Sequence, residues 1–411
     1  MNESGMVVVG AGEAGVRAAL ELRSLGWDGE ITLIGNEGLL PYERPKLSKE
    51  LLIAVEEPSL AAVVSEAQLA EERIDWVSGD AVRRIDREGH RVELASGREI
   101  PYMRLLLATG AKPRKLEIAG DGAGDLIYLR RYEDAVRLRE SLRNGSRVVV
   151  IGGGFIGLEV AASAIQRGCA VTLLEAGRRL LARGVPEAIA KVVEQEHRKQ
   201  GVRIVTGASL ERIDKGAGEF KLRLADGTVI PCDIVIAGIG AVPETALAEK
   251  SGLDIDNGIR VNEKLQTSDS NIFAAGDCCS FPHVLFGNHR IRLEAWRNAV
   301  DQGMHAAGNM LGSEKPYGVV PWFWSDQYDL TLQVAGFTDR AVTIVERNMG
   351  EEGQIYFHLN EEGTVVAVSG IGSGGSLAKH IRIGEMLVEK QAKPAAEALA
   401  DHTVRLKQLM R

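Results

Sequence analysis

Met6-Val-Val-Val-Gly-Ala-Gly-Glu-Ala-Gly15 and Val148-Val-Val-Ile-Gly-Gly-Gly-Phe-Ile-Gly157 decide the fold of this chain. Each is an apolar run, then G-x-G-x-x-G, then a helical pattern, which extends through Leu25 in the first case and to about Arg167 in the second. Further strands follow at Ile31–Ile34 and Ala170–Leu174, so each unit reads strand, glycine turn, helix, strand. That context turns a weak motif into a dinucleotide fingerprint. The first glycine makes the sharp turn, the second lets backbone approach a pyrophosphate, and the third lets helix and strand pack closely. The phosphates then meet the unpaired N–H groups and the positive end of the helix. Gly10, Gly12 and Gly15 form one such set and Gly152, Gly154 and Gly157 the other, so two dinucleotides are implied.

Working outward, Arg91–Leu94 and Arg104–Ala108 read as strands, closed by Ala108-Thr109-Gly110. Arg203–Val205 and Lys221–Leu224 follow the second unit, with a hairpin turn at Asp226-Gly227. Ile234–Ala237 is a buried strand ending in Gly238-Ile239-Gly240. Ile272–Ala275 runs into Gly276-Asp277, and a long helical pattern begins near Glu294 and ends before Gly312. From Val319 onward, strand patterns at Thr331–Val334, Ile355–His358 and Val365–Val368 give way to helix after Ser376. The expected fold class is α/β, with two Rossmann-like domains of largely parallel sheet followed by an α+β C-terminal domain.

Charge and cysteine content narrow the function. A formal net charge of −8 argues against a nucleic-acid surface. The four cysteines, Cys169, Cys232, Cys278 and Cys279, make no C-x-x-C pair and no zinc or cluster spacing. Inert thiols in a reducing compartment are the expectation, although the vicinal pair leaves a redox role open. The start lacks a basic n-region, and the uncharged stretches Val148–Leu158 and Gly363–Ala378 are too short to span a membrane. A cytoplasmic protein without a metal site is expected.

Glu175 ends the second strand of the second unit, where an acid accepts hydrogen bonds from ribose hydroxyls and repels a 2′-phosphate. It favours NADH over NADPH, against the complication that Arg178-Arg179 just downstream can receive a phosphate. In the first unit, Glu37 is the corresponding candidate for a ribose, with an exposed loop acid as the alternative.

Five further stretches carry a resemblance. They are Leu40-Pro-Tyr-Glu-Arg-Pro-Lys-Leu-Ser-Lys49, Gly153-Gly-Phe-Ile-Gly-Leu-Glu159, Thr267-Ser-Asp-Ser-Asn-Ile-Phe-Ala-Ala-Gly-Asp277, Arg292-Leu-Glu-Ala-Trp296 and Pro321-Trp-Phe-Trp-Ser-Asp-Gln327. In this order they resemble the FAD-dependent, NADH-using ferredoxin reductases that serve bacterial oxygenases. The resemblance implies a glutathione-reductase-like arrangement: an FAD domain over 1–110 and 241–318, an inserted NAD domain over 111–240, and a C-terminal domain over 319–411. It also implies that Gly10, Gly12 and Gly15 hold the FAD pyrophosphate and that Arg44, Lys49, Val82, Ala108, Thr109, Gly110 and Arg130 contact FAD. Gly276 and Asp277 would reach the ribityl chain, while Glu294, Ala295 and Trp296 meet the isoalloxazine and Trp324 packs on its exposed side. For NADH, the implied positions are Gly152, Gly154, Gly157, Phe155, Ile156, Glu159, Glu175, Arg183 and Gly240. Lys49, Glu159 and Trp324 are the expected catalytic group.

The implied activity is hydride transfer from NADH to FAD, then release of single electrons to a 2Fe–2S ferredoxin. That carrier feeds an oxygenase of Rieske or cytochrome P450 type, and the reductase is expected to be a monomer. A helix starting near Glu294 and the Lys49 cation would both stabilise negative charge on a reduced ring. Arg290, Arg292, Arg297 and Arg340 are candidates for a basic footprint facing an acidic partner. The chain departs from the pattern at Lys46, which replaces a proline, and at Tyr42, near where related thiol and peroxide reductases carry a redox cysteine. Rubredoxin reduction, direct oxidation of NADH by oxygen or a quinone, and an NADH-sensing interaction role remain as alternatives.

Overall fold

The computed structural model describes residues 5–56, 59–216 and 218–410. The chain divides into two units. Unit 1 comprises Met1–Glu43, Ser59–Lys112 and Val242–Val319; unit 2 comprises Arg44–Pro58, Pro113–Ala241 and Val320–Arg411.

Unit 1 is built on a parallel sheet in which Ile74–Ser78, Ile31–Gly35, Gly5–Val9, Glu99–Leu107 and Ile272–Ala274 lie side by side. Gly5–Val9 and Ile31–Gly35 are buried at every position, as parallel strands covered on both faces must be. Glu99–Leu107 also turns at its start to pair antiparallel with Arg91–Leu94, which pairs in turn with Val82–Asp86. The helix Glu13–Ser24 packs against Trp296–Met310 so closely that a Cβ at Gly303 would overlap the carbonyl oxygen of Ala14. Small residues at such a crossing let two helix backbones approach.

Unit 2 repeats the design. Its parallel sheet runs Arg203–Thr206, Ala170–Glu175, Arg147–Ile151, Ile234–Ala237. A three-stranded antiparallel sheet, Leu210–Lys215, Phe220–Leu224 and Val229–Cys232, shares one apolar core with it. The expected turn at Asp226-Gly227 is present: Gly227 has φ +85°, and Asp226 accepts the Thr228 N–H at 2.9 Å.

The C-terminal part of unit 2 is a five-stranded antiparallel sheet ordered Trp322–Gln327, Leu330–Gly336, Val365–Ser373, Gln354–Leu359, Thr343–Asn348, with the helix Ala378–Glu389 packed on Val368. Buried Arg347 ties the following segment to this sheet by donating to the carbonyls of Leu399, His402 and Val404. The α/β class with an α+β tail therefore holds.

The long helix of unit 1 begins at Trp296, close to the expected start near Glu294. Ala295 is extended (φ −142°, ψ +139°), and the Glu294 carboxylate pairs with Arg292 at 2.6 Å outside the helix. Among the described residues, no helix is long and apolar enough to cross a membrane, and no cluster of ligating side chains could hold a metal ion.

Candidate functional site

In unit 1 the first glycine turn has the geometry its sequence demands. Gly10 has φ +110° and lies so close to Ala108 that any side chain would strike the Ala108 carbonyl. A Cβ at Gly15 would strike the carbonyl of Gly10, whereas Gly12 faces open space. Gly12 is the N-cap of the helix and no side chain caps it. The first-turn N–H groups are thus presented, uncapped, at the end of the strand.

Around this turn the structure assembles the other expected positions of unit 1. Ala108 donates its N–H to Val9, Thr109 Oγ1 donates to the Glu244 carbonyl, and Gly110 has φ +71°. Gly276 (φ +81°) packs on Ala14 in the first turn of the same helix, and Asp277 follows it. Gln302 anchors the strand end by accepting the Gly276 N–H at 2.8 Å. The Trp296 indole N–H donates to Glu13 Oε1 at 2.9 Å, a restraint with no counterpart in the motif. Glu37 lies just beyond its strand and accepts the Tyr42 hydroxyl at 2.6 Å. Val82 opens an outer strand and is half-buried.

In unit 2 the second glycine turn repeats these relationships. Gly152 has φ +109° against the carbonyl of Gly238, Gly157 packs on the carbonyl of Gly152, and Gly154 is an uncapped N-cap facing open space. Gly240 (φ +101°) is likewise open. Glu175 is held by two backbone donors, Gly153 N–H to Oε2 at 2.7 Å and Gly177 N–H to Oε1 at 2.6 Å. Arg179 is not free to take a phosphate, since its guanidinium donates to the carbonyls of Leu180, Leu181, Ala182 and Val185. Arg178 and Arg183 are exposed. Phe155 packs edge-on against Phe323, while Ile156 is 47% exposed beside it.

The expected catalytic group comes together in unit 2 as a hydrogen-bonded cluster. Glu159 is the one ionisable residue in the helix Phe155–Gln166 and is 6% exposed. Burial pushes its pKa up, opposed by the charge of Lys49 and by hydrogen bonds from Ser325 and Ser48. Lys49 Nζ lies 3.4 Å from Glu159 Oε1 and 3.4 Å from Asp326 Oδ2. Ser325 Oγ donates to Glu159 Oε1 at 2.6 Å and Ser48 Oγ to Oε2 at 2.6 Å. Behind Ser325 stands Gln327, whose Nε2 donates to it at 3.1 Å and whose Oε1 accepts from His197 Nε2 at 2.8 Å. That pair fixes the His197 tautomer, because an amide oxygen only accepts. Lys49 also sits 5.6 Å from the Trp324 ring centre; Trp324 donates to Asp326 at 2.9 Å and stacks on Trp322 at 5.2 Å. Arg44 reaches the carbonyl of Arg130 at 2.7 Å in the same unit.

Ser48, Ser325, Asp326, Gln327 and His197 are the functional residues the sequence did not single out. Three of them are consecutive at the end of strand Trp322–Gln327, with Ser325 and Gln327 buried. Two polar residues on the buried face of a strand are the signal that could have found them.

Three of the four arginines proposed as a basic footprint already have partners of their own. Arg290 donates to the carbonyls of Ser280 and Val261, Arg292 pairs with Glu294, and Arg297 pairs with Asp301. These three are committed to partners within unit 1, while Arg340 is exposed in unit 2. All four cysteines are unpaired and buried, and burial raises the thiol pKa of each, which disfavours the thiolate at Cys278 and Cys279.

Two open glycine turns on parallel sheets, one with a ribose-type acid, have the geometry of a protein that binds two dinucleotides. The chain belongs to the pyridine nucleotide-disulphide oxidoreductase family, which it matches over residues 4–303, and residues 322–410 match the reductase C-terminal family. It is an oxidoreductase with FAD and NAD(H) as cofactors, and the residues present fit both.

It is 39% identical over 408 residues, 99% of each chain, to the ferredoxin–NAD(+) reductase component of the anthranilate 1,2-dioxygenase system of Burkholderia cepacia. A rubredoxin–NAD(+) reductase of Pseudomonas putida is 39% identical over 80% of this chain and 86% of its own. The reductase in the crystal structure of the covalent putidaredoxin reductase–putidaredoxin complex matches with a TM-score of 0.92 at 35% identity, over 99% of this chain and 98% of that one.

Proposed function

We propose that the protein is the reductase component of a bacterial oxygenase system, oxidising NADH and delivering electrons singly to a 2Fe–2S ferredoxin. One observation carries the choice of acceptor class. The family takes its name from disulphide chemistry, yet all four cysteines here are single and buried. Buried thiols whose pKa is raised are poor recipients of the electrons gathered from NADH, which favours their leaving for a separate carrier. The ferredoxin reductases among the relatives, aligned end to end, support that carrier being a ferredoxin. The rubredoxin reductase relative keeps a second reading in play.

Bound FAD supplies the chemistry that joins a two-electron donor to a one-electron acceptor. The chain supplies placement and charge. Gly10, Gly12 and Gly15 present helix N–H groups to the FAD pyrophosphate, with Glu37 as its ribose acid. Arg44, Val82, Ala108, Thr109, Gly110, Arg130, Gly276, Asp277, Glu294, Ala295 and Trp296 complete the FAD contacts. Gly152, Gly154 and Gly157 serve the NADH pyrophosphate, with Phe155, Ile156, Arg183 and Gly240 beside it. Glu175, pinned by two backbone N–H groups, selects a free 2′-hydroxyl. Lys49 and Glu159 form a buried pair at the reacting rings, the cation favouring negative charge on the reduced ring and the carboxylate orienting the ammonium.

In this reading, residues 1–110 and 241–318 form the FAD domain, 111–240 the NAD domain and 319–411 a C-terminal domain whose Trp324 faces the electron acceptor. The unpaired cysteines fit a reducing cytoplasm, and a monomer is expected.

The test is a yellow holoprotein mixed with NADH and one of three acceptors: a 2Fe–2S ferredoxin, a rubredoxin, or oxygen alone. Reduction of the ferredoxin at a rate well above the other two is the expected result. Preference for rubredoxin, or rapid oxygen consumption without any carrier, would replace this reading.

A further inference from the structure

Electron transfer from NADH to one-electron carriers leaves a proton behind. NADH gives up a hydride, which is two electrons and one proton; two one-electron acceptors remove two electrons and no proton. One proton per NADH therefore has to leave the site. This requirement rests on the function proposed above, and the structure offers a specific answer to it.

Two arms of hydrogen bonds lead away from Glu159, and their chemistry differs. The inward arm runs through Ser325 to Gln327, His197 and Tyr328. Its first two donors point toward Glu159: Gln327 Nε2 gives to Ser325 Oγ, and Ser325 Oγ gives to Glu159 Oε1. The amide nitrogen of Gln327 has no lone pair to receive a proton, so this arm orients the carboxylate and conducts nothing. Ser48 donates its hydroxyl proton to Oε2 and is itself 2% exposed, so it opens no route to solvent.

The outward arm is made only of ionisable groups. Side-chain exposure rises along it, from 6% at Glu159 to 16% at Lys49 and 44% at Asp326. Lys49 Nζ is 3.4 Å from a carboxylate oxygen on each side. Asp326 is itself held in place, taking the Trp324 indole N–H on Oδ2 and the Thr331 hydroxyl on Oδ1, each at 2.9 Å. One ammonium between two carboxylates carries a formal charge of −1, so the triad reaches neutrality by taking up one proton. Among the described residues, the further titratable groups linked to this cluster are His197 and Tyr328 behind Gln327, with Glu196 beside His197. His197 and Tyr328 lie on the inward arm, and Glu196 acts on it through His197.

We propose that Asp326 is the outlet for the proton left by NADH oxidation, reached from Glu159 through Lys49. Glu159 Oε1 would receive the proton, an O–H bond forming there as the bond that held the proton on the reduced ring breaks. As an Nζ–H bond of Lys49 breaks toward Asp326 Oδ2, Nζ takes up the Glu159 proton, so Lys49 ends as it began. Asp326 then passes the proton to water. The raised pKa that burial gives Glu159 makes it a competent first acceptor.

The test uses holoprotein reduced by one equivalent of NADH and mixed with excess ferricyanide, an acceptor of single electrons that binds no proton. A pH-indicator dye in weakly buffered solution reports proton release while flavin absorbance reports electron loss. In the natural protein the two signals rise together. In Asp326→Asn, which keeps the side chain's size and an acceptor for Thr331, proton release is expected to slow about 10-fold or more. The slowed phase should show an enlarged solvent isotope effect. In Asp326→Ala, added formate should restore release, which a merely structural loss would not permit. Proton release in step with electron loss in Asp326→Asn, together with indifference of Asp326→Ala to formate, overturns the outlet. If NADH fails to bleach the flavin of the natural protein, the proposed function itself falls, and the outlet with it.

Discussion

Ser325 Oγ lies 2.6 Å from Glu159 Oε1, although 166 residues separate the two in sequence. The bond links the helix of the second glycine turn to the first strand of the C-terminal sheet. It also offsets part of the burial that pushes the Glu159 pKa up. Ser325→Ala removes that donor and raises the pKa of Glu159 further. The carboxylate is then lost at a higher pH as the solution is acidified. The acid limb of kcat/KM for NADH should therefore move to higher pH, with roughly tenfold loss on that limb, the worth of one charged hydrogen bond. Stopped-flow flavin bleaching across pH measures it, and an unchanged acid limb would remove Glu159 ionisation from the rate.

Glu175 makes a second, independent prediction about cofactor choice. Its two backbone bonds fix both oxygens at the strand end, and Arg179 is spent on loop carbonyls. Glu175→Ala should lower kcat/KM for NADH roughly 10- to 100-fold, as expected for lost bonds to a charged group, while NADPH gains or holds. A variant that keeps the full preference for NADH would mean that selection lies elsewhere in the loop.

The two fingerprints are legible because glycine carries its geometric reason in its name: φ near +110° at Gly10 and Gly152, contact with backbone at Gly15 and Gly157, open space at Gly12 and Gly154. Buried parallel strands are equally plain as unbroken apolar runs. The long helix starts within two residues of its expected place, at Trp296, with the Glu294 side chain turned back to Arg292 just outside it. The cluster around Glu159 is only half visible. Lys49, Glu159 and Trp324 come from resemblance, but Ser48, Asp326 and His197 belong to it through tertiary contacts with no local period. Nor does any local pattern show that Arg44–Pro58 belongs with unit 2 while its flanking residues belong with unit 1.

Gly303 tests how far FAD retention depends on helix spacing in unit 1. A Cβ there overlaps the Ala14 carbonyl in the first turn of the helix that Gly12 begins. Gly303→Ala must push the two helices apart, at about 1–3 kcal/mol for overpacking. The displaced turn carries the N–H groups that meet the FAD pyrophosphate in the proposed function. The variant should melt earlier and release FAD more readily on dilution, seen as a rise in free-flavin fluorescence. Lower stability with unchanged FAD retention would separate helix packing from cofactor binding.

His358 predicts the response of stability to acid. It is 2% exposed, bonded to Ser369 Oγ at 2.8 Å, and burial lowers its pKa from 6.5 to about 4. In the unfolded chain it gains a proton as pH falls below 6.5, while in the native fold it stays neutral until about pH 4. The unfolded state then binds more protons, so stability present above pH 6.5 is lost progressively down to about pH 4. The loss from this residue is at most about 3 kcal/mol, at roughly 1.4 kcal/mol per pH unit. Urea unfolding of the holoprotein followed by tryptophan fluorescence at about pH 7.5 and about pH 5 measures the difference. Burial shifts His197, His283, His305 and His380 the same way, and they contribute alike to the natural protein and to a variant at 358. His358→Gln keeps a donor for Ser369 and cannot titrate, so its stability should fall less between the two pH values. An equal fall in the variant would assign the acid sensitivity to groups other than His358.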